Sequence, residues 1–338
     1  MPLLECADFP LVSVNVQKLF LDGVNNKDYI PEVDTITTIK KNQRVDFKII
    51  EDSDKDFELK GYWRDTCASD VEDCGSTCEF DGPEPEASCE NYTLDECKEY
   101  KFSITEERFR KSNFTPTEFV ADQMILADVT LASYLNEQAA LFLTTLGGTN
   151  VVANPYPVTA LSHTEVPAVN FDSGLFSYYS LVAKRNKFRS PYLLSGINHW
   201  HDSYNAQFNA LNANGKDAAA KYRTIPITHD LEDLDTAAGV NATYMIDGSA
   251  LAFVNKARYT NFSQAAPMGS GTKDDLAKFS MSSNVCPGLE YDVYYYKECV
   301  NRKDTKHNFV VEVNYDFIQS PVSKCNDEHT GVLQFRCA

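Results

Sequence analysis

The stretch from Thr115 to Gly148 constrains the fold of this chain more than any other part of the sequence. It opens with Thr-Pro-Thr-Glu, a capping box in which proline occupies the first helical position, where its missing N–H is tolerated. Apolar residues then recur every three, four or seven positions, and the glycine pair 147–148 supplies a C-terminal cap. The predicted helix, 116–146, would be roughly 45 Å long. We therefore interpret it as a spine helix around which a domain is organised.

Five apolar residues on this stripe form the candidate core of the spine helix. They are Val120, Met124, Leu131, Leu135 and Phe142. Residues with this spacing lie on one side of a helix, so the sequence predicts that one face of the spine packs against the rest of its domain.

The composition indicates a globular protein. A chain of 338 residues with 43% hydrophobic and 12% aromatic residues can build a sizeable core. No apolar run approaches the ~20 residues that a membrane-spanning helix needs, so we expect no membrane partner. Residues 1–14 lack the basic segment of a secretory signal, and we expect the chain to fold in a cytoplasm.

The net charge of −18 is concentrated in one stretch. Residues 51–100 contain 17 acidic residues and four lysines and arginines, for a net charge of −13. A protein that reads nucleic acid carries a concentrated basic patch instead, because neutralising phosphates supplies most of the affinity. The sequence therefore argues against tight, sequence-specific binding of DNA or RNA.

The region before the spine helix is predicted to be extended. Apolar and polar residues alternate over 45–49 and again over 100–104, which is typical of strands with one buried face. We interpret 35–110 as a long two-stranded β-ribbon that follows an N-terminal arm, 1–34. The ribbon tip, 67–97, is acidic and poor in aliphatic residues, so it cannot form a core of its own.

Cysteines are the obvious means of holding the ribbon tip, and the sequence leaves their state open. The tip contains Cys67, Cys74, Cys78, Cys89 and Cys97, and the remaining cysteines are Cys6, Cys286, Cys299, Cys325 and Cys337. No Cys-x-x-Cys pair or flanking histidine is present, which argues against zinc. Disulfides are the preferred interpretation, with one tip cysteine pairing elsewhere because five is odd. Reduced, inert thiols are the alternative, because a cytoplasm disfavours disulfides.

The chain after the spine helix changes character twice. An α/β layer is predicted first, with short strands in 151–170, a helix from Ile197 to Leu211, a strand at 222–229, an acidic excursion at 230–239, a strand at 242–246 and a short helix at 250–256. Strong alternation then predicts antiparallel strands at Leu289–Cys299, Phe309–Ile318 and Val332–Phe335.

The sequence predicts no catalytic, cofactor-binding or metal-binding residues. The stretch 269–273 lacks the spacing of a phosphate-binding loop and is interpreted as a surface loop. His199 and His201 are two residues apart, so they would face different sides of a helix, and we interpret them as surface histidines. The acidic run around Glu232 is interpreted as a solvated face.

The order of these elements resembles the major capsid proteins of tailed bacteriophages with the Hong Kong 97 type fold. In that family an extended ribbon loop precedes the spine helix of a peripheral domain, and an axial domain is inserted before the chain returns to strands. The local sequence is also similar to the axial-domain run of capsid proteins from phages of Bacteroidetes-like hosts. The segments concerned are Phe188–Gly196, Thr228–Asp235 and Thr243–Lys256.

The resemblance implies an α+β fold with four parts. The expected parts are an N-terminal arm (1–34), the ribbon loop (35–110), a peripheral domain with the spine helix (111–184 and 280–338) and an axial domain (185–279). It also implies a non-enzymatic protein without cofactors, which assembles with itself into hexamers and pentamers of an icosahedral head. Scaffold, portal and decoration proteins and packaged DNA are the other implied partners. The implied location is the virion, after assembly in the bacterial cytoplasm.

Two other functions are consistent with the sequence. Ten cysteines, four Asn-x-Ser/Thr sequons and a β-rich C-terminal part would suit a secreted or surface binding module stabilised by disulfides. A hydrolase whose site is assembled from distant residues is the third hypothesis.

For a capsid protein, the negative charge of the ribbon further suggests that the tip lies outside the shell or at a junction between subunits. Disulfides or other tip contacts could lock neighbouring subunits there.

Overall fold

The structure is a computed structural model of the 338-residue chain. It describes residues 33–52, 57–64, 87–94, 96–107, 116–146, 163–171, 175–197, 199, 225–230, 232–248, 250–259, 276–301, 304–321 and 331–337. The helices within these ranges are α1 (Asp34–Asn42), α2 (Pro116–Thr145), α3 (Leu175–Arg185) and α4 (Asp233–Ala238). A short 3-10 helix covers Ala168–Asn170.

The described strands form three sheets. In chain order they are β1 (Val45–Asp52), β2 (Phe57–Arg64), β3 (Ala87–Thr93), β4 (Glu96–Thr105), β5 (His163–Val166), β6 (Pro191–Ser195), β7 (Ile227–His229), β8 (Ala242–Asp247), β9 (Leu251–Asn255), β10 (Ala277–Ser282), β11 (Glu290–Asn301), β12 (Asp304–Gln319) and β13 (Val332–Cys337). The first sheet has the order β1-β2-β3 and is antiparallel throughout. The second has the order β10-β11-β12-β4, with β9 also pairing with β12, and the third has the order β5-β13-β8-β6-β7.

The chain forms two compact units. The first consists of Met1–Val33, Leu94–Leu135 and Val254–Asp316, and the second of Asp34–Thr93, Asn136–Phe253 and Phe317–Ala338. Helix α2 contributes residues to both units.

The first unit is built on the long hairpin of β11 and β12, which β4 extends by a third strand. Phe102 of β4 is the register partner of Phe309 of β12, and their rings stack with centroids 4.8 Å apart. The ring of Tyr295 on β11 lies 4.9 Å from Phe309. Val311 and Val313 are fully buried on the same face of β12. This alternation of buried and polar positions is what a sheet with one covered face requires.

A buried aspartate on α2 joins the helix to this sheet. The carboxylate of Asp128 accepts hydrogen bonds from the hydroxyl of Ser283 (2.6 Å), the backbone N–H of Asn284 (2.9 Å) and the hydroxyl of Tyr291 (2.8 Å). Burial raises the pKa of Asp128 above its ordinary value. These three hydrogen bonds hold the turn between β10 and β11 against helix α2.

A second buried carboxylate in the first unit holds the segment that follows β9. Asp292 of β11 accepts hydrogen bonds from the backbone N–H groups of Arg258 (2.8 Å) and Tyr259 (3.2 Å). Burial raises the pKa of Asp292 to about 6, and the nearby Glu312 carboxylate adds to this effect. The segment that follows β9 is thereby fixed across β11.

The second unit packs α3 against its mixed sheet. Tyr179 and Val182 of α3 are fully buried beside Phe335 of β13 and Leu193 of β6. The rings of Tyr179 and Phe335 meet edge to face, with centroids 4.9 Å apart. The amide of Gln334 donates to the backbone carbonyl of Leu143, which attaches the last turn of α2 to β13 (2.9 Å).

The structure confirms the main predictions of element type. The α+β class is correct, the long helix is present as α2, and the C-terminal segments form strands β11, β12 and β13. The strand predicted at 242–246 is β8. The N-terminal arm, the helix expected after Ile197, the loop at 269–273 and most of the ribbon tip lie outside the described residues.

The predicted two-stranded ribbon is wrong in its pairing. Strand β1 pairs with β2, and β2 pairs with β3, so the ribbon has three strands and spans Val45–Thr93. Residues 100–104 do alternate as predicted, but they belong to β4 and pair with β12. Alternation identifies a strand with one buried face but does not identify its partner strand. The sequence therefore predicted both strands correctly and their pairing wrongly.

Three local predictions after the spine helix are also wrong. Leu251–Asn255 is the buried strand β9 where a helix was expected, because a short, continuous apolar run suits either element. The acidic excursion at 230–239 contains the helix α4. His199 is buried, with its ring stacked on Phe171 at 4.4 Å between centroids, so it is not a surface histidine.

Candidate assembly elements

The three-stranded ribbon begins directly after helix α1, so the attachment of α1 determines where the ribbon starts. The C-terminal end of α1 is held by Gln43, whose side-chain carbonyl accepts a hydrogen bond from the backbone N–H of Phe253 (3.0 Å). The ammonium group of Lys40 lies 5.3 Å from the ring centre of Phe253. Phe253 therefore anchors the C-terminal end of α1 through both its backbone N–H and its ring.

A buried polar network holds the N-terminal end of α1. The side-chain carbonyl of Asn136, on α2, accepts a hydrogen bond from the backbone N–H of Ile36 (3.2 Å), and its amide donates to Asp230 (2.8 Å) and Asp233 (2.6 Å). The hydroxyl of Thr35 donates to Asp230 (2.6 Å). Thr35, Asn136 and Asp230 are completely buried. We call Thr35, Ile36, Asn136, Asp230 and Asp233 the ribbon anchor.

Asp230 also caps helix α4. Its second carboxylate oxygen accepts hydrogen bonds from the backbone N–H groups of Glu232, Asp233 and Leu234, at 2.8–3.3 Å. A carboxylate at a helix N-terminus satisfies N–H groups that have no partner within the helix. Asp230 thus joins α4, α1 and α2 through the hydrogen bonds that its two oxygens accept, which compensate for its burial.

The carboxylates around the ribbon anchor are crowded. Burial, with a contribution from Asp230, raises the pKa of Asp34, and burial likewise raises the pKa values of Asp233 and Asp235. Asp235 accepts hydrogen bonds from the backbone N–H groups of Ala242 (2.9 Å) and Ile197 (3.1 Å). Its carboxylate lies where the Cβ of any residue larger than glycine at position 196 would be, so Gly196 is required for this close approach.

One face of the ribbon carries an aromatic cluster. The ring of Phe47 on β1 meets the rings of Trp63 on β2 and Tyr92 on β3 edge to face, at 6.3 and 6.2 Å between centroids. The indole N–H of Trp63 donates to the hydroxyl of Tyr92 (2.8 Å), which donates to the Glu90 carboxylate (3.0 Å). Burial and the nearby Glu90 raise the pKa of Tyr92 to about 12. The cluster links all three strands and keeps them in register.

Gly61 lies beneath this cluster and makes it possible. A Cβ at position 61 would be 2.7 Å from Cε2 of Tyr92 and 3.0 Å from Cε1 of Phe47. These distances are too short for carbon atoms in contact, so the two rings occupy the space that a side chain would fill. Leu59 and Trp63, which flank Gly61 on the same face of β2, are fully buried.

The described cysteines do not support the predicted disulfides. No disulfide joins the described cysteines, which are Cys89, Cys97, Cys286, Cys299 and Cys337. Cys89 and Cys97 lie in strands of two different sheets. We predicted that these two cysteines belong to one ribbon tip because they are close along the chain. Residues 87–93 and 96–105 instead form strands β3 and β4. Burial of its thiol and the neighbouring Glu312 carboxylate raise the pKa of Cys97 to about 11. Cys6, Cys67, Cys74, Cys78 and Cys325 lie outside the described residues.

The candidate spine residues lie along both units. Val120, Met124, Leu131 and Leu135 are buried, and Phe142 is half-buried with its ring stacked 5.5 Å from that of Phe317. Burial also extends beyond the predicted stripe, because Ala132, Ala139, Ala140 and Leu143 are fully buried as well. The helix is therefore enclosed on more than the single face that its periodicity predicts.

Sequence reasoning missed the polar residues that fix this helix in place. Asp128 and Asn136 are both completely buried on α2. They are eight residues apart, a little over two helical turns, within an apolar segment, and that is the one signal that could have identified them. Among the described residues, no group of three or more histidine, cysteine, aspartate or glutamate side chains is arranged to hold a metal ion.

Helix α2 is long, yet no helix in the described part of the chain has both the length and the hydropathy needed to cross a membrane. No protein-family model matches the sequence, and a comparison with curated proteins found no match. Solved structures from phage capsids are similar to this chain.

Three of these similar structures illustrate the extent of the likeness. The capsid asymmetric unit of cyanophage A-1(L) has a TM-score of 0.47 and 12% identity, covering 92% of this chain and 94% of the other. The capsid of Ralstonia phage GP4 has a TM-score of 0.44 and 8% identity, covering 85% of each chain. The capsid of cyanophage P-SCSP1u has a TM-score of 0.42 and 10% identity, covering 82% of this chain and 83% of the other.

Proposed function

We propose that this chain is a major capsid protein of a tailed bacteriophage, with the Hong Kong 97 type fold. It acts by self-assembly into the icosahedral head that encloses the DNA genome, and it carries out no catalysis. The observation that carries the proposal is the placement of the long helix within the chain. Along the chain, helix α2 comes after the three-stranded ribbon, Val45–Thr93, and before strand β12. Strand β12 pairs with β4, which precedes the helix in the sequence.

The ribbon is the element best suited to contact between subunits. Within the described residues this three-stranded antiparallel sheet has two edge strands whose outer backbone groups have no strand partner, and such edges are satisfied when another chain covers them. Closed symmetric assemblies need large interfaces, and extended elements enlarge an interface at little cost in chain length. The anchor at Asn136 and the cluster over Gly61 would hold the ribbon in a defined position and shape before subunits meet.

The charge of the chain suits containment of DNA. A net charge of −18 with no concentrated basic patch would confine packaged DNA without binding it tightly. The partners are other copies of the chain in hexamers and pentamers, together with scaffold, portal and decoration proteins. Assembly would take place in the bacterial cytoplasm, and the protein would then reside in the virion.

Expression in bacteria, alone and together with the neighbouring genes, tests the proposal. Negative-stain microscopy of the purified material should show uniform closed shells, or separate hexamers and pentamers of the 37.9 kDa chain. A homogeneous population of monomers under both conditions would contradict it. The variant Asn136→Ala is a useful companion, because a loosened ribbon anchor should reduce the yield of shells.

A further inference from the structure

The ribbon has a second face, opposite the aromatic cluster, on which two lysines oppose each other. Lys48 of β1 and Lys60 of β2 are direct register partners, so their side chains leave the sheet on the same side. Both ammonium groups lie over the exposed ring of Tyr62, at 5.6 and 5.8 Å from its centre. We call Lys48, Lys60 and Tyr62 the lysine pair site.

The two ammonium groups repel each other, and the carboxylates of Asp46 and Glu58, two residues before them on the same face, offset part of this repulsion. Directly opposed like charges on neighbouring strands are destabilising, and a shared aromatic ring compensates only in part at an exposed position. Within the described residues, neither lysine forms a salt bridge with a carboxylate. An external carboxylate placed between the two ammonium groups would relieve the repulsion and gain two charge-assisted hydrogen bonds.

We propose that the lysine pair site binds a carboxylate group on a second copy of this chain. The proposal rests on the proposed self-assembly. The charge of the chain supports a second copy as the partner, because 49 acidic residues against 31 basic residues give every copy a surface rich in carboxylates. A fork of two cations on such an acidic protein is complementary to its own copies.

The two single charge reversals, Lys48→Glu and Lys60→Glu, separate a contact role from a structural one. Within the subunit, each reversal replaces a lysine–lysine pair by a glutamate–lysine pair, so the midpoint of chemical unfolding should stay the same or rise. Between subunits, the introduced carboxylate repels the partner, so the critical concentration for assembly should rise at least tenfold. A merely structural role would lower the unfolding midpoint and raise the critical concentration together.

The matched control is Lys184→Glu, which makes the same charge change at an exposed lysine of α3. It should leave the critical concentration within about twofold of the wild type, as should Lys48→Arg, which keeps the cation. Raising the salt concentration from 50 to 500 mM should weaken assembly of the wild type more than that of Lys48→Glu.

Assembly of both glutamate variants at the wild-type critical concentration would overturn the lysine contact while leaving the proposed function intact. A wild-type chain that stays monomeric would overturn both proposals. Loss of assembly together with a lowered unfolding midpoint in both variants would overturn the contact as well, since it would show that the lysines stabilise the ribbon itself.

Discussion

Asn136, in the C-terminal half of a 30-residue helix, donates its amide to the carboxylate of Asp230 at 2.8 Å, and both side chains are completely buried. The same amide reaches Asp233, and its carbonyl accepts the backbone N–H of Ile36. One side chain therefore connects the spine helix, the helix before the ribbon and the cap of α4. The position of the ribbon depends on this connection.

Replacing Asn136 by alanine should destabilise the protein strongly. The substitution leaves the Ile36 N–H and two carboxylates short of a hydrogen-bond partner in a buried site, at a cost of about 2–4 kcal/mol in the free energy of unfolding. Urea unfolding of the subunit measures this loss. The control, Asp122→Ala, removes an exposed side chain from the same helix and should change stability by less than about 0.5 kcal/mol. Equal effects of the two substitutions would show that the network does not hold the anchor.

Gly61→Ala should loosen the ribbon without unfolding the remainder of the chain. The added Cβ would lie 2.7 Å from the Tyr92 ring, so the ring must move and its hydrogen bond with Trp63 is lost. Such overpacking costs about 1–3 kcal/mol. In a Trp200→Phe background Trp63 is the sole tryptophan, and its fluorescence should shift to longer wavelength as it becomes hydrated.

Gly239→Ala is the matched control for this substitution. Gly239 has a φ of +70° and nothing within 4 Å of an added Cβ, so alanine there costs backbone strain alone. It should lower the unfolding midpoint and leave the emission of Trp63 unchanged. A Trp63 spectrum that is the same in Gly61→Ala as in the wild type would mean that the cluster tolerates the side chain.

Stability should fall as the pH rises from about 4 to about 6, and Asp292 should contribute to that fall. Its pKa is about 6 in the folded chain and 3.8 ordinarily, so in this window the folded state binds more protons than the unfolded state. Each such proton is worth about 1.4 kcal/mol per pH unit. Urea unfolding between pH 4 and pH 7.5 should show a shallower pH dependence for Asp292→Asn than for the wild type, whereas Asp122→Asn should keep the wild-type slope. An unchanged slope in Asp292→Asn would contradict the assignment.

The thiol of Cys97 should react slowly. Its pKa of about 11 keeps it protonated at neutral pH, and the thiolate is the reactive form. Labelling by iodoacetamide, read at this residue by mass spectrometry, should accelerate about tenfold per unit of pH between 7 and 10. Glu312→Gln removes one cause of the raised pKa and should accelerate labelling at pH 7.5, whereas Glu58→Gln on the ribbon should not. Rapid labelling of the wild-type thiol at pH 7 would contradict this.

The sequence was informative where one local signal determined the structure. The capping box at Thr115 and the regular apolar spacing predicted α2 to within one residue of its end, because capping and periodicity both act over a few residues. Alternation likewise predicted β11, β12 and β13. These features need no knowledge of what the element packs against.

The sequence failed where a distant partner decided the outcome. Phe102 pairs with Phe309, more than 200 residues later, and nothing in the alternation of β4 identifies that partner. Leu251–Asn255 forms a strand that is covered on both faces. Because all five residues are buried, its sequence shows no alternation that would distinguish a strand from a helix. The ribbon anchor joins residues 35, 136 and 230, so it could not be inferred from spacing along the chain.

Sedimentation velocity of the purified wild-type chain tests the central claim most directly. If the ribbon exists to meet other copies, the 37.9 kDa chain should sediment, from micromolar concentrations upward, as capsomers or closed shells with little free monomer. A single monomeric species across the whole concentration range, with or without the co-expressed neighbouring gene products, would contradict the account.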